Sequence, residues 1–464
     1  MLEMSNSVWS VAGRLLARHL DSGARLDLLL EEGANQLAPV DRRRCRHLFY
    51  GAVRHLGTLQ YALDRHLRTP PRALLRAALL LGTYELFEHP EETPSIVHHA
   101  VEQTRQLASA SEARVVNAVL RKVAATLDEL RAATGGGSGD ADALALQFSH
   151  PAWLIERWLV NFGLEATREL LAWNQKPAPV HARRVGGRGN ESCSPREKEA
   201  GGEEQSAQTT SSPAPLPDFC KPTRWPDFYL LEQPDWAEVE RLIAAGRIYL
   251  QDPATAVAPA LLGVAAGENV LDLCASPGGK TLQLAEALVG KGSAARVVAV
   301  DLPGPRLHRL RENIARHPAL AARVSIVGRD VHALTGDALA ALRLPTQFDA
   351  VLIDVPCSNT GVLRHRVEVK WRLSPKDFVD LPRLQLALLR RAAALVRPGG
   401  RLVYSTCSLE PEENEDVVEA FVRGSTGKNP AEATAAFVLE RSERSQPWTS
   451  GCDGAAAFLL RRSG

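Results

Sequence analysis

A chain of 464 residues, 45% hydrophobic and 23% charged, has the composition of an ordinary folded protein and the length for about three domains. A formal net charge of +1 excludes a globally basic nucleic-acid binder, and 5% aromatics weaken any reading as a platform that stacks many bases; any RNA site must rest on local clusters of Arg and Lys. The seven scattered cysteines form no Cys-x-x-Cys pair and so exclude a disulfide framework and a zinc site.

The first residues hold no apolar signal-peptide core, and no segment approaches ~18 uninterrupted apolar residues. The expectation is a cytoplasmic monomer with no metal and no membrane partner.

Residues 8–130 carry helical periodicity, with apolar positions at three and four spacings (Val8, Val11, Leu15, Leu16; Leu74, Leu75, Ala78, Leu79). Pro39-Val40-Asp41 and Pro70-Pro71 mark helix starts or turns. This predicts an all-α domain over residues 1–133 with about five to seven short helices. Arg42, Arg43, Arg44 and Arg46, with His47 and Arg54, put a basic face on one of them. A solvated surface explains such a run alone; phosphate contacts are the functional reading.

Residues 135–139 (Gly-Gly-Gly-Ser-Gly) are a flexible break. A linker module follows over residues 140–235, with Ser149-His150-Pro151-Ala152-Trp153-Leu154 leading into a helix through Trp158 and Phe162. Within it, residues 186–217 are rich in Gly, Ser, Glu, Gln and Pro and predict a disordered insertion without chemistry.

Over residues 236–464 strands alternate with helices. Strands are expected at 269–274, 296–301, 324–330, 348–354 and 401–407, and helices at 281–288, 307–317 and 384–395, with a turn at Pro398-Gly399-Gly400. The pattern predicts a Rossmann-like α/β domain with an open, mostly parallel sheet. Ligands of such sheets sit at the carboxyl ends of strands.

At the first strand end stand Cys274, Ala275, Ser276, Pro277, Gly278, Gly279, Lys280 and Thr281. The glycines permit close ligand approach, and the following helix offers free N–H groups. A P-loop needs glycine where Cys274 stands, and the dinucleotide fingerprint is absent. S-adenosylmethionine remains, with Asp301 at the second strand end for the ribose hydroxyls and Asp330 at the third for the adenine amino group. A tight turn and helix caps would explain any one of these features; the set, in strand order, points to the cofactor.

Asp354-Val355-Pro356-Cys357-Ser358 ends the fourth strand, and Ser405-Thr406-Cys407-Ser408 the fifth. A lone buried Cys is usually an inert small hydrophobe, but both of these leave a strand on the ligand face. C5 of cytosine is a poor nucleophile until a thiolate adds to C6, after which C5 accepts an electrophilic methyl group. A base then removes the C5 proton and the thiolate leaves. An acid near N3 and a cation near the base would stabilise the adduct, and Asp354 and Lys280 are the candidates.

The stretches LDLCASPGGKT, DVPCSNTGVLRH, VKWRL and LVRPGGRLVYSTCSLEPEENE resemble the motifs of the RNA cytosine-5 methyltransferase family, the Sun/Fmu proteins. DRRRCRHLFYGAVRHLGTLQYALDR and VVNAVLRKV resemble the helical RNA-binding domain related to antitermination factor B. The pairing is typical of the bacterial 16S rRNA methyltransferase B group. The resemblance implies S-adenosylmethionine as cofactor, held by residues 274–280 with Asp301, Asp330 and Asp354. It makes Cys407 the nucleophile toward C6, Cys357 the group that assists product release, and Asp354 and Lys280 contacts to the base. The implied partner is ribosomal RNA presenting an unpaired or flipped cytosine.

Arg364, His365, Arg366, Lys370 and Arg372 follow the fourth strand and are expected to grip the RNA backbone near that base; Trp371 is core or a stacking surface. Ser276, the alanines at 455–457 and the 186–217 insertion depart from the family pattern. A methyltransferase acting on another RNA such as tRNA, one acting on protein or a small molecule, and a non-catalytic RNA-binding assembly factor are the other readings.

Overall fold

The computed structural model describes residues 7–129, 139–186, 215–289, 295–425 and 437–464. The chain divides into two compact units: Met1–Ala178 with Val362–Ser374, and Pro179–Gly361 with Pro375–Gly464.

The first unit is helical: α1 (Val8–Ser22), α2 (Leu26–Gly33), α3 (Pro39–Arg54), α4 (Leu56–Asp64), α5 (Ala73–Glu88), α6 (Thr93–Leu107), α7 (Ala110–Ala125), α8 (Ala141–Phe148) and α9 (Ala152–Gln175). Local chemistry sets the ends. The Ser7 and Ser109 side chains cap α1 and α7 by accepting from Ser10 N and Glu112 N, and Pro39 opens α3, where no N–H is missed. Trp9, Leu16, Phe49, Leu79 and Leu120 bury in one core. Gly51 permits the approach of α3 to α5, since a Cβ there would lie 2.2 Å from the Tyr84 ring.

Val362–Ser374 belongs to this core. Val367 is buried in it, Trp371 packs against it, and the Trp371 indole donates to Val53 O at 2.8 Å.

The second unit holds two sheets. A small antiparallel sheet of β1 (His181–Arg184), β2 (Cys220–Pro222), β3 (Phe228–Leu231) and β4 (Ile248–Leu250) has the order β2-β3-β1-β4. The sequence reading did not anticipate it, because strands of three or four residues are too short to show alternation.

The large sheet comprises β5 (Val270–Leu273), β6 (Val297–Asp301), β7 (Val324–Gly328), β8 (Phe348–Asp354), β9 (Val396–Thr406), β10 (Phe437–Ser445) and β11 (Ala455–Arg462), in the order β10-β11-β9-β8-β5-β6-β7. Strands β5 to β9 pair in parallel, and β10 and β11 add an antiparallel edge. The order reverses at β5, whose neighbours are β6 and β8, so a ligand crevice is expected there. All four residues of β5 are buried, as a strand covered on both faces requires.

Strand β9 starts earlier than expected. The Pro398-Gly399-Gly400 turn is an irregularity inside it, the pairing jumping from Phe348–Val396 to Ala350–Arg401, with Gly399 at φ +71°. The 455–457 alanines lie in β11, where Ala456 and Ala457 are fully buried. The expected insertion falls largely on 187–214 and the glycine break on 135–138, outside the described residues. Among the described residues no helix is long and apolar enough to cross a membrane.

Candidate active site

Strand β5 delivers Cys274 in a left-handed conformation, φ +59°. Gly278 follows at φ +107°, and a Cβ there would sit 2.9 Å from Leu310 Cδ1. The helix Gly279–Ala287 then begins, and a Cβ on Gly279 would fall 2.6 Å from Gln251 Nε2. Gly278 is required by its left-handed backbone, and Gly279 lets Gln251 lie close against the start of the helix.

Asp301, at the end of β6, holds this loop: Ser276 N and Leu302 N each donate to its carboxylate at 2.8 Å. The loop walls a cleft of about 200 Å³ lined by Cys274, Ala275, Ser276, Pro277, Gly279, Lys280 and Asp354 from the expected set. Gly278, Asp301 and Asp330 are not among its lining residues. Asp330 is exposed, and its carboxylate caps the following turn by accepting from His332 N at 2.8 Å. Tyr249, Gln251, Asp252 and Asp272 also line the cleft; the sequence reading missed the first three because they lie in or beside β4.

Asp272 lies inside β5 and is fully buried. One carboxylate oxygen accepts from Thr281 Oγ1 at 2.5 Å, and the other has no hydrogen-bond partner among the described residues. Burial pushes its pKa up to about 7. Burial likewise pushes the Cys274 thiol up to about 12, marking it as an inert sulfur.

At the ends of β8 and β9, which pair Asp354 with Ser405, the two cysteine loops meet. The Cys357 and Cys407 sulfurs are 3.3 Å apart. The neighbouring Cys407 thiol first, then burial, holds the Cys357 thiol well above its ordinary range, so it is a protonated donor at neutral pH. Cys407 is partly exposed. Lys280 Nζ donates to Asp354 Oδ2 at 2.7 Å and Ser405 Oγ to Asp354 Oδ1 at 3.1 Å. Burial opposes the Lys280 charge, but Asp354 outweighs it and the pKa rises, leaving a firm cation.

A buried network fixes both loops. The Glu413 carboxylate accepts from Ser358 N at 2.9 Å, Ser408 Oγ at 2.7 Å and Gln385 Nε2 at 2.8 Å. Glu413 and Gln385 are fully buried. Asn414 Nδ2 donates to Ser408 O and Glu410 O, and Gly361 N to Cys407 O at 3.0 Å. A Cβ on Gly361 would lie 2.7 Å from Cys407 O, so this crossing of backbones requires glycine. In the sequence alone, nothing marks the Pro-Glu-Glu-Asn-Glu run for this role.

Of the residues expected to contact RNA, Arg42, Arg43, Arg44 and Arg46 are exposed on α3. Arg42 is partly committed to Ala34 O and Asn35 O, and Arg46 lies over the Tyr50 ring. Arg366 is exposed, while Arg364 stacks on Trp173 and donates to Lys176 O and Pro177 O. The expectation for Lys370 is corrected. It is 2% exposed, donates to Arg54 O at 2.8 Å, and burial with the nearby Arg54 charge holds it well below the ordinary lysine range. Arg54 is likewise buried, at 8% exposure. Both side chains are turned into the fold.

The profile of the 16S rRNA methyltransferase RsmB/F family matches residues 259–445, and that of the NusB family residues 9–125. Residues 259–445 thus carry a methyltransferase domain similar to the RsmB/F family, and residues 9–125 a domain similar to the NusB family. It is 29% identical over 451 residues to ribosomal RNA small subunit methyltransferase B of Erwinia tasmaniensis, covering 96% of this chain and 95% of that one. The protein of the same name from Salmonella paratyphi B is 28% identical over 425 residues, 91% of each chain. The solved structure of the protein PH0851 covers 99% of both chains with a TM-score of 0.72 at 22% identity, a likeness of fold.

The family uses S-adenosylmethionine. This cofactor carries a sulfonium and an ammonium group, and the cleft suits such a cation. Asp252, Asp272 and Asp354 line it, and Asp272 offers a buried carboxylate oxygen that lacks a partner.

Proposed function

We propose that this protein methylates C5 of an unpaired cytosine in 16S ribosomal RNA through a covalent Cys407–C6 adduct. The observation that carries the reading is the pair of sulfurs, Cys357 and Cys407, 3.3 Å apart beside the Lys280–Asp354 ion pair. Two thiols and a cation–acid pair on adjoining strand ends match what this chemistry needs; methylation of a protein or a small molecule needs no such pair.

Residues 274–280 and Asp354 hold the cofactor, Asp301 keeps the loop in place, and Asp330 stands for the adenine end. Bound there, the cofactor supplies the electrophilic methyl group. The Cys407 thiolate forms a bond to C6, and the ring electron pair moves to C5, with the Lys280 cation balancing the negative charge that develops at N3 and O2 and Asp354 holding Lys280 in position. Once C5 is methylated, water takes the C5 proton, the C5–H electrons form the C5–C6 double bond, and the C6–S bond breaks with its pair leaving on the Cys407 sulfur. Cys357, protonated and adjacent, stabilises the departing Cys407 thiolate. The exposed arginines of α3 and Arg366 bind phosphates of the RNA.

Bisulfite sequencing of ribosomal RNA from cells lacking the protein tests this reading. One 16S cytosine is expected to lose its mark and regain it on complementation. An unchanged 16S profile with loss of a tRNA mark would move the substrate; no loss anywhere would leave an assembly factor.

A further inference from the structure

Asn359 belongs to none of the groups used above, yet it touches the reacting sulfur. It sits at φ +62°, a left-handed conformation that asparagine tolerates better than most side chains, between two residues held by the buried network, Ser358 and Thr360. Its Nδ2 donates to Cys357 O at 2.6 Å. A backbone carbonyl only accepts, so the amide nitrogen must face it and the orientation of the side chain is determined. Oδ1 is then turned toward Cys407 and lies 3.4 Å from its Sγ.

We infer that Asn359 governs the protonation of Cys407: its tethered amide oxygen accepts from the thiol and repels the thiolate. Cys357 acts in the opposite sense. Its protonated sulfur, 3.3 Å from Cys407, donates to a thiolate there. The nucleophile thus stands between an acceptor that favours S–H and a donor that favours S⁻, and its proton leaves to solvent through its partly exposed side. Of the two forms, the thiol is the one that resists alkylation and oxidation. The inference deepens the proposed function and rests on Cys407 being the nucleophile.

The test is the rate at which iodoacetamide alkylates Cys407 in the full-length protein without RNA, followed by mass spectrometry of its peptide between pH 6 and pH 10. Asn359→Gly, which suits the left-handed backbone and removes only the acceptor, is expected to move the alkylation midpoint down by about one pH unit. That is roughly tenfold faster reaction at pH 7. Asn359→Asp, with a charged acceptor, is expected to move it up by at least as much, and Cys357→Ala to move it up as well. The acid limb of the methyl-transfer profile should follow the Asn359→Gly shift. Unmoved midpoints, or glycine and aspartate variants that shift the same way, would reduce Asn359 to a structural residue. Methyl transfer surviving in Cys407→Ala would instead overturn the nucleophile reading and leave the alkylation result standing.

Discussion

The sulfurs of Cys357 and Cys407 lie within 3.3 Å of each other although 50 residues separate them in the chain. They meet because β8 and β9 are parallel neighbours with Asp354 opposite Ser405, so the loops that follow leave the sheet side by side. Cys407→Ala is expected to lower methyl transfer by at least about a thousandfold, the scale for loss of a nucleophile, with donor binding intact by calorimetry. Cys357→Ala should accumulate a protein–RNA adduct that survives denaturing electrophoresis. An adduct formed by Cys407→Ala and not by Cys357→Ala would exchange the two roles.

Glu413 ties both cysteine loops through Ser358 N and Ser408 Oγ. Glu413→Gln turns one acceptor into a donor facing other donors, and each buried donor left unmet costs about 1–3 kcal/mol. The expected outcome is a lower melting temperature and a kcat reduced by about tenfold to a hundredfold, with the donor Kd unchanged. A donor Kd that weakens in step with kcat would show that Glu413 supports the cofactor cleft instead.

Asp272 gives a pH dependence with a definite sign. Its pKa is raised to about 7, so near neutrality the carboxyl is partly protonated, and a bound cation must first draw it into the ionised form. Donor affinity should therefore improve as pH rises, by roughly tenfold between pH 6 and pH 8 if one proton is linked. Asp272→Asn should flatten that profile. In the ligand-free protein the raised pKa contributes stability that is present below the unfolded value of 3.8 and lost as pH climbs through 7. The asparagine variant should accordingly melt higher than the parent at pH 8, and by a smaller margin or none at pH 4.

Arg43 and Arg44 are exposed on α3, whereas Lys370 is buried against Arg54 O. Replacing both arginines with alanine should weaken RNA binding several-fold and reduce the slope of log K against log salt by about one per arginine. Lys370→Met should leave that slope unchanged and lower the melting temperature, because Arg54 O loses its donor. A salt slope that changes in Lys370→Met would contradict the burial argument.

Much of the catalytic half was legible because its strands are buried on both faces and write continuous apolar runs ending in Asp301, Asp354 and Thr406. Phe348–Asp354 matches its expected bounds. The edge strand β10 escaped the five-strand reading because its middle is almost entirely exposed and charged, leaving no hydrophobic signal, and β11 opens on three alanines that read equally well as helix. Lys370 shows the opposite limit. Its neighbours Arg364, Arg366 and Arg372 make a basic run in the sequence, and only the fold turns one member of that run inward. Asn359 and Glu413 were invisible for a third reason: the groups they meet, Cys407 Sγ and Ser358 N, lie 48 and 55 residues away in the chain.

The assignment of Val362–Ser374 to the helical unit means that neither half is a contiguous stretch of polypeptide. A fragment starting at residue 179 would still contain that loop, with Val367 and Trp371 deprived of the helices that cover them. The helical half would conversely lack a piece of its own interior. Trimming this enzyme to a catalytic core is therefore expected to yield an aggregation-prone product. Grafting the NusB-like half onto another methyltransferase would have to carry the loop as well.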